Sequence, residues 1–364
     1  LGHHPRHLGG GVLAERGDAP QADVLPDHPA GHSRRLQLLA GDRHLMGLSG
    51  VATEDEQFHG RAGRATQQAQ ASGQWIKGRG SRRGQQSQQA FGGMGVVDGF
   101  AVFLDVIFLV SGLASIALAH DYLKRMNIMR GEYYSLLLYA ISGMMLMTYA
   151  YDLIIVFLAL ELLSIPLYVL SGFIRLDLRS EEAALKYFLL GTFSSGLVLY
   201  GIALIFAATA RTDLPGILAA VELAPANLTM FLVGGALLLV GFSFKGAIVP
   251  FHEWAPDVYQ GAPSSVTAFM SVGAKAAGFA ALMRVFVVAF PSLSADLTPV
   301  LWGLAAITMV LGNIVALAQT NLKRLLAYSS IAQSGYLMMA FVPYGQGIVL
   351  SDTIAAMLFF LAGY

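Results

Sequence analysis

Cysteine is absent from the 364 residues, and that one absence removes several chemistries together. Without a thiol the chain holds no disulfide framework, no thiolate metal site, no cysteine nucleophile and no cysteine-ligated iron–sulfur cluster. Any redox chemistry therefore belongs to partners. Charge is scarce as well: 13% of residues are Asp, Glu, Lys or Arg, against about a quarter in a soluble domain. The formal net charge is zero, which leaves no overall attraction for nucleic acid, so basic residues matter only by position. No soluble nucleotide-binding fingerprint, hydrolase triad or zinc-ligand spacing is visible. Gly9-Gly10-Gly11 lacks the strand–helix setting that cradles a phosphate, and His3, His4 and His7 offer no more than adventitious metal binding.

What the chain has instead is apolar mass, 55% of its residues. That excess calls for a lipid solvent. It is unevenly spread, because residues 1–92 carry seven of the nine histidines, eleven Lys/Arg and a Gln-rich run from Gln85 to Gln89. This segment has no apolar stretch long enough to span a membrane and no signal-peptide pattern. By composition it is disordered. It is either a genuine polar extension or non-native sequence from a start-site or reading-frame error. The second is the preferred expectation, since the chain begins with Leu1 rather than Met and stops at Tyr364 inside another apolar run. Two apolar spans encoded upstream of Met94 in another frame would support it.

With about 20 apolar residues needed per helix, eight spans can be drawn, at 94–118, 133–150, 152–173, 183–208, 229–250, 264–289, 298–318 and 323–342, and a ninth opens near Ser351. The fold expected is an all-α transmembrane bundle occupying 93–364. Orientation follows from the short loops. One alternate set contains Lys124, Arg125, Arg130, Arg175, Arg179, Lys323 and Arg324, while the other contains only Arg211. Loops 119–132, 174–182 and 319–323 are thereby placed on the cytoplasmic (or matrix) side and 209–228 on the opposite side.

An ionisable residue at a span's centre costs about 2.5–3.5 kcal/mol on translocon scales, so those that persist serve function or mutual pairing. Glu161 lies roughly 14 Å into the third span at 1.5 Å per residue, in FLALELLS. Lys275 sits at similar depth in VGAKAAG, where small neighbours leave room for water. Lys245 precedes Pro250 by five residues in GFSFKGAIVP, and the proline predicts a helix break. Broken helices at membrane depth line hydrated ion sites. A buried lysine's proton affinity can be switched by a carboxylate that approaches or leaves, so Glu161 moving against Lys245 would let that lysine take up and pass on a proton, with Lys275 as receiver.

Each residue has a plainer alternative. Glu161 and Lys245 could be a structural ion pair, and Lys275 could snorkel to an interface. Lys186, near the start of the fourth span, serves equally as topology anchor or proton-path group. His252 could carry protons or satisfy backbone at the break. Asp105, in the first span, could lie on a polar interface or at the lipid edge, and Lys323 and Arg324 read as orientation anchors.

Several long strings carry a resemblance: DLIIVFLALELLSIPLYVLSG from Asp152, EAALKYFLLG from Glu182, FKGAIVPFHEWAPDVYQGAP from Phe244, residues 266–279, and NLKRLLAYSSIAQSGY from Asn321. From about Met94 onward the chain resembles the antiporter-like membrane subunits of proton-pumping NADH:quinone oxidoreductase (respiratory complex I). The strings ELLSIPLY and PDVYQGAP are similar to the N members among them. The resemblance implies Glu161 as acidic partner, Lys245 as broken-helix lysine, Lys275 as central relay and Lys186 as a further lysine of the family pattern. It also implies a subunit that binds no cofactor itself, while NADH, FMN, iron–sulfur clusters and quinone are handled by other subunits. Its partners would be other membrane-arm subunits and the lipid of a bacterial inner (plasma) membrane. The family starts with two further helices and continues past Tyr364, so its second inverted repeat is only partly represented. The runner-up is a subunit of a multi-subunit sodium/proton antiporter or a hydrogenase membrane arm. A third reading is a lipid-embedded scaffold whose buried ions merely pair helices.

Overall fold

A computed structural model describes residues 88–175, 177–223, 227–345 and 350–364. Most of the expected polar segment, including Gly9-Gly10-Gly11 and His3, His4 and His7, lies outside the described residues. A two-stranded antiparallel ribbon, β1 (Gln88–Ala90) and β2 (Gly95–Val97), pairs Gln88 with Val97. The helices follow: α1 Gly99–Arg125, α2 Gly131–Tyr149, α3 Leu153–Ser171, α4 Leu178–Thr209, the short α5 Leu214–Glu222, and α6 Leu228–Gly246. After them come the short α7 Trp254–Gly261, α8 Ser264–Ala289, α9 Ser294–Leu317, α10 Leu322–Phe341 and α11 Leu350–Gly363.

Six of these helices start where the sequence supplies a short polar acceptor. Asp98, Asp152, Asp177, Asp213, Asn227 and Asn321 each accept a backbone N–H of the helix they begin, satisfying a donor that lipid could not. Among the described residues seven helices are long and apolar enough to cross a membrane: α1, α3, α4, α6, α8, α9 and α10. The chain is a multi-pass membrane protein. Helix α2 occupies the second expected span with 19 residues, but Glu132 and four tyrosines keep it outside those seven.

Of the boundaries that differ from expectation, two have local reasons that bear on the site. The first span begins at Gly99 instead of 94, because residues 95–97 pair in the ribbon and Asp98 accepts from Ala101 N–H at 2.9 Å. The fifth ends at Gly246, four residues before the proline that was to break it.

Packing is tightest at α8, whose most apolar stretch is 94% buried, against 22% for α9. Helix α8 is therefore the centre of the described bundle and α9 a flank that shows its apolar side chains outward. Helices α2 and α3 cross closely at Gly143, where a Cβ would stand 2.9 Å from the Leu163 Cα. Likewise α4 meets α6 at Gly201, where a Cβ would lie 2.9 Å from the Gly234 carbonyl. Without a hydrophobic effect between helices in lipid, such small-residue contacts supply the van der Waals attraction that holds them.

The loops opposite the basic set knit together. Tyr151 N–H donates to the Met94 carbonyl at 2.8 Å, Leu153 N–H to Thr212 at 2.9 Å, and Leu214 N–H to Tyr151 at 3.0 Å. The near-absent turn at Tyr151-Asp152 is thus a backbone hub rather than a bare connector.

Candidate functional site: buried lysines at a broken helix

The break is built from a C-terminal cap. Ala247 takes a left-handed conformation (φ 53°), its N–H bonds the Phe244 carbonyl at 3.0 Å, and the Ile248 N–H reaches back to Ser243 at 2.9 Å. That is the paired pattern of a Schellman ending. The expected break is present, but its cause is this cap at Ala247, and Pro250 falls in the connection that follows. Backbone groups freed by the break have partners from three other elements. Trp254 Nε1 of α7 donates to the Phe244 carbonyl at 2.9 Å, Ser334 Oγ of α10 to the Gly246 carbonyl at 2.6 Å, and Val249 N–H to Thr308 Oγ1 of α9 at 3.0 Å. An irregular backbone at this position is made tolerable by these partners.

Lys245 occupies the last turn before the break and is 5% exposed. Its ammonium donates to Ser164 Oγ at 2.7 Å and to the Tyr187 hydroxyl oxygen at 3.3 Å, both neutral acceptors. The Tyr187 ring lies below it, with Nζ 5.6 Å from the centroid, and stacks on Trp254 at 4.6 Å. Glu161 lies one turn before Ser164 on α3. Its Oε1 is buried with no hydrogen-bond partner, and among the described residues no ion pair joins it to Lys245. The structure thus shows acid and base close but apart. A buried carboxylate oxygen without a donor carries a desolvation cost, and a shift toward Lys245 would relieve it.

Lys275, 2% exposed, opens the regular part of α8 just after a π-type turn at Met270–Ala274, a feature frequent at functional sites. Its ammonium donates to the Ser330 carbonyl and to Ser330 Oγ. Ser334, one turn further along α10, donates to Gly246 next to Lys245. Two serines on one face of α10 therefore touch both lysine neighbourhoods. The small residues beside Lys275 do not act as water space at Gly278: a Cβ there would stand 3.2 Å from Lys245 Cβ and Cγ, so glycine lets α8 pack directly on the Lys245 stem.

The remaining candidates lie elsewhere. Lys186 is 41% exposed and pairs with Glu182 at 2.5 Å and Asp257 at 2.7 Å. His252 is half-buried, with Nδ1 3.3 Å from the Pro250 carbonyl and the ring edge-on to Tyr328. Burial pushes its imidazole below the ordinary value, against the opposing pull of the Pro250 carbonyl and Glu253. Burial of the Asp257 carboxyl opposes ionisation, but the hydrogen bonds and charges of Lys186 and Arg324 outweigh it and hold the group below the usual carboxylate range. Lys323 donates to the Ala262 carbonyl at 2.9 Å, so it ties loop to helix.

Sequence reading overlooked Arg284, a charge inside an apolar span. Its guanidinium makes a buried pair with Asp98 at 2.6 Å and donates to the Thr148 carbonyl at 2.6 Å, joining the ends of α1, α2 and α8. The signal was available, since an arginine within 264–289 needs a partner. Asp105 accepts from Thr148 Oγ1 at 3.1 Å and from the Tyr149 hydroxyl. Tyr187, Ser164, Ser330 and Trp254 carried no comparable signal, because hydroxyls and aromatics are ordinary in apolar helices. No cluster of three or more His, Cys, Asp or Glu able to hold a metal occurs among the described residues.

A multi-pass helical bundle with a broken helix and lysines buried beside it defines an antiporter-like membrane subunit. The family described as "NADH:quinone oxidoreductase/Mrp antiporter, TM" matches residues 150–363, and the chain belongs to it. NADH-quinone oxidoreductase subunit N of Trichlorobacter lovleyi is 51% identical over 247 residues, 68% of this chain and 51% of that protein. Subunit N of Chloroflexus aggregans is 51% identical over 259 residues, 70% of this chain and 53% of that protein. In respiratory complex I from Thermus thermophilus with bound aureothin, one chain superposes with TM-score 0.59 at 36% identity, over 84% of this chain and 65% of that one. The Mrp complex from Dietzia sp. shares the fold, with TM-score 0.64 at 24% identity. The chain spans about half the length of the curated relatives it matches.

Proposed function

We propose that the chain is part of a membrane-arm subunit of an NADH:quinone oxidoreductase, moving protons across a bacterial inner membrane while partner subunits transfer electrons from NADH to quinone. In this reading it is a non-redox subunit of a translocase and binds no NADH, FMN, iron–sulfur cluster or quinone. Other membrane-arm subunits and the bilayer are its partners. The observation that carries the reading is the separation of Glu161 from Lys245: the ammonium rests on neutral hydroxyls while a nearby buried carboxylate oxygen lacks any donor.

Two arrangements of one acid–base pair are what a proton switch requires. Lys245 loads when Glu161 closes on it and discharges toward Lys275 when the two separate, with Ser330 and Ser334 lying between their surroundings. Lys186 and His252 sit on the side carrying the basic loops, where protons would be collected. Family breadth keeps a sodium/proton antiporter subunit as the second reading, since the family description includes the Mrp antiporter. Sodium-dependent transport without NADH oxidation would favour it.

The test is NADH-driven proton pumping in membrane vesicles carrying the full-length protein with Lys245→Ala, with assembly checked in parallel. An assembled complex that loses both pumping and quinone reduction supports the reading. Normal pumping makes Lys245 structural.

A further inference from the structure

Beyond the lysines themselves, one surface group is wired to the break. Asp257 lies on α7, the helix that resumes after it, three residues beyond Trp254. Its Oδ2 is 2.7 Å from Lys186 Nζ of α4 and its Oδ1 is 2.5 Å from Arg324 Nη1 of α10. Arg324 also donates to Gln260 Oε1 at 3.1 Å. A cavity of about 190 Å³, lined by Arg179, Glu182, Asp257, Gln260 and Arg324 among others, opens at this knot.

The rest of α7 is largely buried: Trp254 and Tyr259 are 3% exposed and Val258 is 0%. Trp254 caps the Phe244 carbonyl and stacks on Tyr187, whose hydroxyl touches Lys245. An isolated exposed ion pair contributes little. Here one carboxylate uses both oxygens on cations from two different helices, so its loss frees α7, takes the carboxylate partner from Arg324 and leaves Lys186 with Glu182 alone.

We infer that Asp257 is a positioning residue: by bridging Lys186 of α4 and Arg324 of α10 it fixes α7, and so the Trp254–Tyr187 stack against which the Lys245 ammonium lies. The functional half of this inference rests on Lys245 being the proton carrier; the structural half does not.

Because this chain has no cysteine, a single Ala255→Cys on the buried face of α7, where the alanine is 1% exposed, reports opening through its labelling by a membrane-permeant maleimide. The assembled complex in native membranes is compared with and without Asp257→Asn. Labelling should accelerate by about tenfold or more, as expected for a segment whose local opening becomes easier. Asp257→Glu, which keeps the charge, should restore protection, and Lys245→Ala should leave labelling at the parental rate. Proton pumping per NADH oxidised should fall severalfold in Asp257→Asn and recover in Asp257→Glu.

Parental labelling in Asp257→Asn overturns the clamp. Faster labelling with unchanged pumping overturns the positioning role while leaving Lys245 to its own test. Should Asp257→Asn fail to assemble, Lys186→Met and Arg324→Gln each remove one arm; intermediate labelling in both supports the clamp, and parental labelling in both overturns it.

Discussion

Thr308→Val is the sharpest probe of how the break is held. The two side chains have nearly the same shape, so packing around residue 308 changes little, but the acceptor for the Val249 N–H, 3.0 Å away, disappears. Val249 is 3% exposed, so its amide has no water to turn to, and leaving a buried donor unsatisfied costs about 1–3 kcal/mol. That cost falls on the connection 247–253 and on whatever depends on it. Converted to an opening equilibrium at 0.59 kcal/mol for RT, it predicts that hydrogen exchange across this connection speeds up by about five- to 150-fold. The assay is exchange mass spectrometry on the assembled complex, following peptides that contain residue 249. Thr308→Ser keeps the hydroxyl and should stay within about twofold of the parent. Unchanged exchange in Thr308→Val would refute the argument that hydroxyls from neighbouring helices hold the break.

Two further expectations follow from the same geometry. Glu161→Gln removes a charge whose Oε1 has no donor, so thermal stability of the complex should hold or rise while NADH-driven pumping drops; a destabilised complex that still pumps would mean the carboxylate is structural. His252 has its imidazole pushed below the ordinary value by burial, so folding favours the neutral ring. Its contribution is intact above the ordinary value of about 6.5 and is lost as pH falls from there through the lowered folded value. Protection of the 251–253 amides, taken as exchange relative to the intrinsic rate at each pH, should fall between about pH 7.5 and about pH 5.5 in the parent, and His252→Asn should flatten that dependence; equal slopes would count against it.

The fold was legible where physics acts on single residues. Apolar runs announced the spans, whereas the Asp and Asn residues that cap six helix starts went unread. Glu161, Lys245 and Lys275 stood out because charge in lipid is costly enough to demand a reason. What stayed hidden depends on pairs distant in sequence. Ser164 and Tyr187 are 81 and 58 residues from Lys245, and neither looks unusual alone. Asp257 carried no signal of its own, since its meaning comes from Lys186 and Arg324 arriving from two other helices. The proline lies inside the break it was expected to make, but the helix already ends at Gly246, where Ala247, a residue with no turn reputation, takes the left-handed cap.

That cap also explains why the break can sit beside a lysine at all. Ending α6 at Gly246 aims the freed Gly246 and Phe244 carbonyls at neighbouring helices, where Ser334 and Trp254 supply donors. Every backbone group there that has been given a partner is held by a neutral donor or acceptor, so satisfying the break places no fixed charge beside Lys245. The polar needs of the backbone and those of the ammonium are thus met separately. Charge on Lys245 can then change without unpairing the break, and in the proposed function Glu161, whose buried Oε1 has no hydrogen-bond partner, would be the group that sets it.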